Sequence, residues 1–119
     1  MARVLVADDA SFMRQMIREI VESDGHEVVG EASDGMEALD EYKRVIPDVV
    51  TMDIVMPRRS GIDAVRSILE LDPSARVVMC SALGQESLVS EALAAGARDF
   101  IVKPFKPDSV LATLTKVLA

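Results

Sequence analysis

The chain has little sulfur, few aromatic side chains and no long apolar stretch, and each shortage excludes a class of protein. Its single cysteine, Cys80, excludes an internal disulfide and a metal site built from several cysteines. No apolar run is long enough to span a bilayer, and acids follow the short apolar N-terminal segment at once, unlike in a signal peptide. Tryptophan is absent and aromatic residues make up 3%, so the core must be aliphatic. These shortages predict a cytoplasmic protein.

Basic residues are also scarce relative to acids. Lysine and arginine number 13 against 20 aspartates and glutamates, which gives a formal net charge of -7. Nucleic-acid binding depends largely on phosphate contacts from basic side chains, and anionic membrane surfaces attract the same side chains. The charge therefore predicts neither a nucleic acid nor a membrane as a partner of this chain.

The hydrophobic pattern alternates between strand and helix five times. Half of the 119 residues are hydrophobic, which suits one domain with a single core. Strands are predicted at 3–7, 27–31, 48–52, 76–80 and 99–102, and helices at about 11–24, 34–46, 61–71, 86–95 and from 107 onward. Such alternation implies parallel strands joined by right-handed crossovers. We therefore expect an α/β protein with a single five-stranded parallel sheet flanked by five helices.

Polar side chains interrupt the pattern at the carboxyl ends of the predicted strands. Asp8 and Asp9 follow the first strand, and Asp53 ends the third. Ser81 follows the fourth strand, and Lys103 follows the fifth. In an open parallel sheet these ends share one edge, which is where ligands bind. The placement predicts that residues far apart in the sequence form one site.

The charges of this set indicate its chemistry. Three carboxylates and one ammonium leave a formal charge of -2 (three negative, one positive), which one divalent cation cancels, and an all-oxygen ligand set suits Mg²⁺. An aspartate beside a metal can attack phosphorus, with Lys103 neutralising the transferred oxygens and Ser81 donating a hydrogen bond to one of them. No strong general base belongs to the set. The chemistry therefore favours a phosphoryl acceptor, with Asp53 as the nucleophile, over a hydrolase.

Together these residues resemble the response regulator receiver domain, and the likeness covers essentially the whole chain. The motifs that carry it are Asp8-Asp9, Asp53 with Met56-Pro57 and Gly61, Ser81-Ala82, and Lys103-Pro104. Short segments such as Thr51-Met52-Asp53-Ile54 resemble the corresponding segments of stand-alone chemotaxis receivers of the CheY type. The resemblance implies a flavodoxin-like, CheY-like fold with strand order 2-1-3-4-5. It also implies one receiver domain over residues 1–119 without an output domain, and a cis peptide between Lys103 and Pro104.

The resemblance assigns roles around a metal ion. Asp53 is expected to accept a phosphoryl group from a histidine kinase of the chemotaxis type. Asp9, Asp53 and the backbone carbonyl of Val55 are expected to bind Mg²⁺, with Asp8 acting through water. The expected protein is a phosphorylation-activated response regulator of a two-component system. It is a signalling protein that catalyses its own phosphorylation and dephosphorylation, and is not an enzyme acting on other substrates.

The resemblance also implies a switch. Ser81 and Lys103 hold the phosphoryl group, and movement of Ser81 toward it lets the Phe100 ring turn inward. The face formed by the fourth helix, fifth strand and fifth helix then changes its partner. The expected target is the flagellar motor switch protein, a phosphatase is a further expected partner, and the chain is expected to be a monomer. Exposed small and apolar residues are expected on the partner surface at Val89, Ala97, Phe100 and Val102.

Other functions stay open at this point. The chain could be a receiver excised from a multidomain regulator, or a phosphorelay intermediate. An aspartyl-nucleophile phosphatase of the haloacid dehalogenase type would place a second acid two residues beyond its nucleophile after the first strand, whereas Asp8 and Asp9 are adjacent. A flavodoxin-like FMN carrier would need a hydroxyl-rich and amide-rich loop there, and these acids would repel its phosphate.

Two apolar positions bear on the lifetime of the phosphoryl group. Val55 and Leu83 lie two residues beyond Asp53 and Ser81. By the family resemblance these positions overlook the water that hydrolyses the acyl phosphate. Since neither side chain can orient a water molecule, we predict slow self-dephosphorylation.

Overall fold

Five parallel strands form one sheet in the computed structural model, which describes every residue from Met1 to Ala119. The strands are β1 (Arg3–Ala7), β2 (Glu27–Ala32), β3 (Val49–Asp53), β4 (Val77–Ser81) and β5 (Asp99–Val102). Their order is β2-β1-β3-β4-β5, and each neighbouring pair is parallel. The fold class and the strand order expected from the sequence are confirmed.

One helix follows each strand. The helices are α1 (Ser11–Ser23), α2 (Gly35–Val45), α3 (Gly61–Leu71), α4 (Glu86–Ala94) and α5 (Pro107–Leu118). Pro107 lies in the first turn of α5, where its missing amide hydrogen leaves no unsatisfied helical bond. None of the five helices combines the length and the apolarity that a membrane crossing requires.

The predicted boundaries of the third and fourth strands each lie one residue before the observed ones. Ser81 is the last residue of β4, whereas the sequence placed it just beyond that strand. Its place in the strand follows from pairing with β5, because Ser81 lies opposite Val102 and its carbonyl accepts a hydrogen bond from the Lys103 amide at 2.7 Å. The site residues Ser81 and Lys103 are therefore fixed to each other by the sheet.

The core lies on both faces of the sheet. One face packs against α2, α3 and α4 through a cluster that includes Leu5, Met52 and Ile68, and the other packs against α1 and α5 through a cluster that includes Val4 and Leu114. Every residue of β3 and β4 is buried, since each strand has neighbours on both edges and helices on both faces. This burial makes the carboxyl edge of the central strands a rigid platform.

Candidate functional site

Three aspartates meet at the carboxyl edge of the sheet. Asp8 and Asp9 lie between β1 and α1, and Asp53 is the last residue of β3, the strand paired with β1. One carboxylate oxygen from each of the three lies within 4.8 Å of the other two. Asp8 and Asp53 are buried, whereas Asp9 is exposed. The structure thus brings together the acids that the sequence placed at strand ends.

Lys103 supplies the counter-charge. Its Nζ lies 3.1 Å from Oδ2 of Asp8 and 3.3 Å from Oδ1 of Asp53. The residue directly follows β5, and the peptide bond to Pro104 is cis, as the family resemblance implied. The ammonium lies between two of the three carboxylates.

Burial and charge alter the protonation of this group. Burial raises the pKa of Asp53 from 3.8 to about 6, with the Asp8 carboxylate adding to the rise and the Lys103 ammonium opposing it. Burial by itself would lower the pKa of Lys103, but its contacts with Asp8 and Asp53 outweigh that effect and raise it. At neutral pH the site therefore holds an ionised Asp53 carboxylate and a protonated lysine.

The loop after β1 is fixed by several hydrogen bonds. The amide of Ala10 donates to Oδ1 of Asp8 at 2.9 Å, and the amide of Asp8 donates to the carbonyl of Ala32 in β2 at 2.9 Å. The guanidinium of Arg14 donates to the Asp8 carbonyl at 2.7 Å and to Glu31 at 2.8 Å. Arg14 could not be recognised as a site residue from the sequence, because a charged residue in the first turns of a helix carries no signal of such a contact.

The loop after β3 carries Val55, whose backbone carbonyl is one of the ligands expected from the family resemblance. The Val55 carbonyl accepts no hydrogen bond from the protein, and the Val55 side chain is exposed. The three carboxylates form an all-oxygen donor set, which is the type that suits Mg²⁺. The amide of Gly61 donates to the Ile54 carbonyl at 2.8 Å and closes the loop. A Cβ at Gly61 would lie 1.9 Å from the Asp53 carbonyl oxygen, so only glycine fits there.

Of the predicted switch residues, Ser81 lies in β4 and Phe100 in the neighbouring strand β5. Ser81 is buried, and its Oγ donates a long hydrogen bond of 3.5 Å to the Ile101 carbonyl. Phe100 is 40% exposed, so its ring is turned toward solvent and does not belong to the core. The Ser81 hydroxyl is therefore weakly bonded, and the Phe100 ring is not held by core packing.

The expected partner surface needs one correction. Val89 and Ala97 are buried, because both pack into the cluster on the α2–α3–α4 face of the sheet. Phe100 and Val102 are exposed as expected. With the exposed Leu83, they border a groove of about 310 Å³ between α4 and β5, and Val89 contributes to its wall. Val89, Phe100 and Val102 therefore line one groove, whereas Ala97 does not, and the partner surface itself stays a prediction.

A match to a protein-family model shows which family this chain belongs to. The model for "Response regulator receiver domain" matches residues 4–115. The chain belongs to the response regulator receiver family. This receiver therefore acts in phosphorylation-activated signalling of a two-component system, and the dehalogenase-like and flavodoxin-like alternatives fall away.

Similar proteins place the receiver within the family. It is 54% identical to the chemotaxis protein CheY of Thermotoga maritima over 115 residues, covering 97% of this chain and 96% of that protein. It is 53% identical to CheY of Bacillus subtilis over 116 residues, covering 98% and 97%. In structure it matches a solved CheX-CheY-BeF3-Mg complex from Borrelia burgdorferi with a TM-score of 0.93 at 41% identity, covering 98% of this chain and 89% of that one. The receiver closely matches chemotaxis proteins of the CheY type.

Proposed function

We propose that Asp53 is the phosphoryl acceptor of this receiver and that a histidine kinase of the chemotaxis type is the donor. The observation that supports the proposal is the position of Asp53, buried at the end of β3 with the Lys103 ammonium 3.3 Å from its Oδ1 and two more carboxylates within reach. Packing alone gives no reason for three acids and a lysine at that edge of the sheet. A site that stabilises a transferred phosphoryl group accounts for all four.

The transfer follows from the groups in place. A carboxylate oxygen of Asp53 attacks the phosphorus, a new O–P bond forms, and the P–N bond to the kinase histidine breaks with the electron pair leaving on the imidazole nitrogen. Lys103 neutralises charge on the phosphoryl oxygens, and the Ser81 hydroxyl exchanges its weak bond to Ile101 for one to a phosphoryl oxygen. The same residues assist hydrolysis, in which water attacks the phosphorus, the bond from Asp53 to phosphorus breaks with its electron pair returning to the carboxylate, and the water loses a proton to solvent. Phosphorylation and dephosphorylation are therefore both proposed as reactions of the receiver itself.

Mg²⁺ is the proposed cofactor. Asp9, Asp53 and the Val55 carbonyl would hold it directly and Asp8 through water, and when bound it supplies positive charge to the phosphoryl oxygens. The observed donor set fits, since one divalent cation cancels the formal charge of -2 left by three carboxylates and Lys103. The Borrelia relative was crystallised with magnesium and BeF3.

Phosphorylation is proposed to change the surface formed by α4, β5 and α5. When Ser81 moves toward the phosphoryl group, the ring of Phe100 can enter the space beside it, and the groove that it borders changes shape. We assign this groove to the target, the flagellar motor switch protein, by analogy with the CheY relatives. A phosphatase is a further proposed partner, and the Borrelia relative is seen in complex with CheX.

Intact mass spectrometry tests the acceptor. The receiver is incubated with Mg²⁺ and a small-molecule phosphodonor, beside Asp53→Asn and the control Asp40→Asn, which changes an exposed aspartate of α2. We expect one phosphoryl adduct on the wild type and on Asp40→Asn, and none on Asp53→Asn. An adduct on Asp53→Asn would move the acceptor to another residue, and its absence from the wild type would refute the proposal.

A further inference from the structure

An ion pair joins the loop after β3 to the start of α2. Nε of Arg58 lies 3.0 Å from Oδ2 of Asp34, and a second guanidinium nitrogen lies 3.4 Å from Oδ1. The Asp34 side chain is 9% exposed, whereas that of Arg58 is 63% exposed. Exposed ion pairs as a rule stabilise little, but a two-point contact onto a nearly buried carboxylate is a geometric constraint as well as a charge interaction.

The backbone around the ion pair is equally constrained. The amide of Gly35 donates to the Arg59 carbonyl at 3.1 Å, and a Cβ at Gly35 would lie 2.3 Å from that oxygen. Arg58 has a φ of 63°, in the left-handed region that a residue with a side chain rarely adopts. Such a conformation persists only where surrounding contacts hold it, and the contact with Asp34 is the one that its own side chain makes.

This segment adjoins the proposed metal ligands. Arg58 lies three residues beyond Val55, whose carbonyl is the proposed ligand, and the loop is short because the Gly61 amide closes it onto Ile54 at 2.8 Å. The two ends of the loop are therefore held together where β3 and α3 meet. The middle of the loop is held by the contacts of Arg58 and Arg59 with the start of α2.

We propose that Asp34 and Arg58 are a positioning pair for the metal site: they fix the loop that carries the Val55 carbonyl and thereby strengthen Mg²⁺ binding. The inference rests on the proposed function, in which Val55 is a ligand. Neither side chain touches the metal ligands themselves. Asp34 already has a separate task, since its Oδ1 accepts a hydrogen bond from the Glu37 amide at 2.8 Å and caps α2.

A purely electrostatic effect on Mg²⁺ binding predicts the opposite result for loss of Arg58. If the pair influenced Mg²⁺ only through long-range electrostatics, loss of the Arg58 positive charge would tighten binding and loss of the Asp34 negative charge would weaken it, independently of each other. If the pair positions the loop, loss of either side chain weakens binding. The second loss then adds nothing, because the contact is already broken.

The experiment is a double-mutant cycle on Mg²⁺ affinity, measured by isothermal titration calorimetry without phosphodonor. Asp34→Asn keeps a side-chain oxygen to cap α2, and Arg58→Gly removes the guanidinium while suiting the left-handed backbone. We expect each single variant and the double variant to bind Mg²⁺ about 10-fold more weakly than the wild type. This loss lies at the lower end of the range of about 10-fold to 100-fold that is typical when a residue orienting a metal ligand is removed. Arg58→Lys, which keeps one charged contact, should recover part of the loss.

Arg59→Ala is the matched control, because the contact of its guanidinium is a weak one to Sδ of Met36 at 3.9 Å. We expect wild-type affinity for it, and thermal melting without metal checks that every variant is folded. Unchanged affinity in Asp34→Asn and Arg58→Gly overturns the positioning role alone, as does tighter binding by Arg58→Gly. A wild type that binds no Mg²⁺ overturns the proposed function together with this inference.

Discussion

The Lys103 ammonium lies 3.3 Å from Oδ1 of Asp53 at the buried edge of the sheet. The same nitrogen lies 3.1 Å from Asp8, so one positive charge faces two buried carboxylates and Asp9 lies within 4.8 Å of both. A single lysine cannot neutralise three acids, and the uncancelled charge is held where solvent screens it poorly. The arrangement that suits phosphoryl transfer should therefore destabilise the metal-free fold.

The first prediction concerns that destabilisation and its pH dependence. The pKa of Asp53 is about 6 in the folded state against 3.8 for the ordinary group, so between these values the folded state binds more protons than the unfolded state. The free energy of unfolding of the metal-free protein should then fall as pH rises through this range and stay low above it. Asp53→Asn cannot ionise, and we expect it to be more stable than the wild type at neutral pH by about 1–3 kcal/mol.

Urea unfolding without metal, followed by circular dichroism across this pH range, measures the effect. Asp40→Asn is the control and should change stability little, because Asp40 is exposed. The difference between the wild type and Asp53→Asn should shrink toward acidic pH, where Asp53 is protonated, and should also shrink when Mg²⁺ is added. A difference that is independent of pH would show that the ionisation of Asp53 does not destabilise the fold.

The second prediction separates the lysine from the metal. In Lys103→Met the site loses its only contacting ammonium, so Mg²⁺ meets less repulsion and should bind at least as tightly as to the wild type. Phosphorylation by a small-molecule donor should nevertheless slow by about 100-fold, since one charged contact to the transferred oxygens is lost. Calorimetry gives the affinity and intact mass gives the rate. Lys106→Met, at an exposed position, should match the wild type in both, and equal losses in the two variants would argue against a specific role for Lys103.

The third prediction concerns Gly61, which the chain needs for space rather than for flexibility. In Gly61→Ala the new Cβ would meet the Asp53 carbonyl oxygen at 1.9 Å, and that oxygen belongs to a strand that cannot move aside. We expect a loss of about 3 kcal/mol or more in the free energy of unfolding. Gly25→Ala is the matched control: it has a φ of 83° but nothing within 4 Å, and should lose only about 1–2 kcal/mol. Equal losses would mean that the close contact does not limit the site.

The sequence was sufficient to place the candidate site residues at one edge of the sheet, because they lie at the ends of strands. Asp53 and Lys103 could be placed at one edge of the sheet from the alternation of strands and helices, without knowledge of any contact. Ser81 was displaced by one position, since pairing of β4 with β5 extends the strand beyond its apolar run. The ends of the parallel strands are thus the positions that this sequence predicts best.

The features that the sequence did not predict depend on packing between elements. Val89 and Ala97 were expected to be exposed, yet both are buried. The segment 86–97 carries small and apolar residues around most of its circumference, so its pattern does not identify the buried face. The contact between Arg58 and Asp34 joins an exposed loop residue to a nearly buried helix-cap residue 24 positions away, and no periodicity connects the two.

The last prediction concerns the lifetime of the phosphoryl group. Val55 is 56% exposed and Leu83 is 85% exposed, so neither side chain is held in the core, and the family resemblance implies that both positions overlook the hydrolytic water. Neither can hold that water in line with the phosphorus. We expect Val55→Asn and Leu83→Glu to shorten the lifetime by about 10-fold, because each new side chain can orient the water by a hydrogen bond. The effect should be smaller than the rate increase of about 100-fold or more that a general base contributes.

Decay of the adduct in intact mass spectra, after removal of the phosphodonor with Mg²⁺ retained, gives the lifetime. Leu71→Glu is the control, because it adds the same charge at a residue that is 51% exposed at the end of α3. A general effect of added negative charge would shorten the lifetime in Leu71→Glu as well, whereas a local effect on the water would not. Unchanged lifetimes in both Val55→Asn and Leu83→Glu would mean that the rate of hydrolysis is set by Lys103, the metal and the backbone alone.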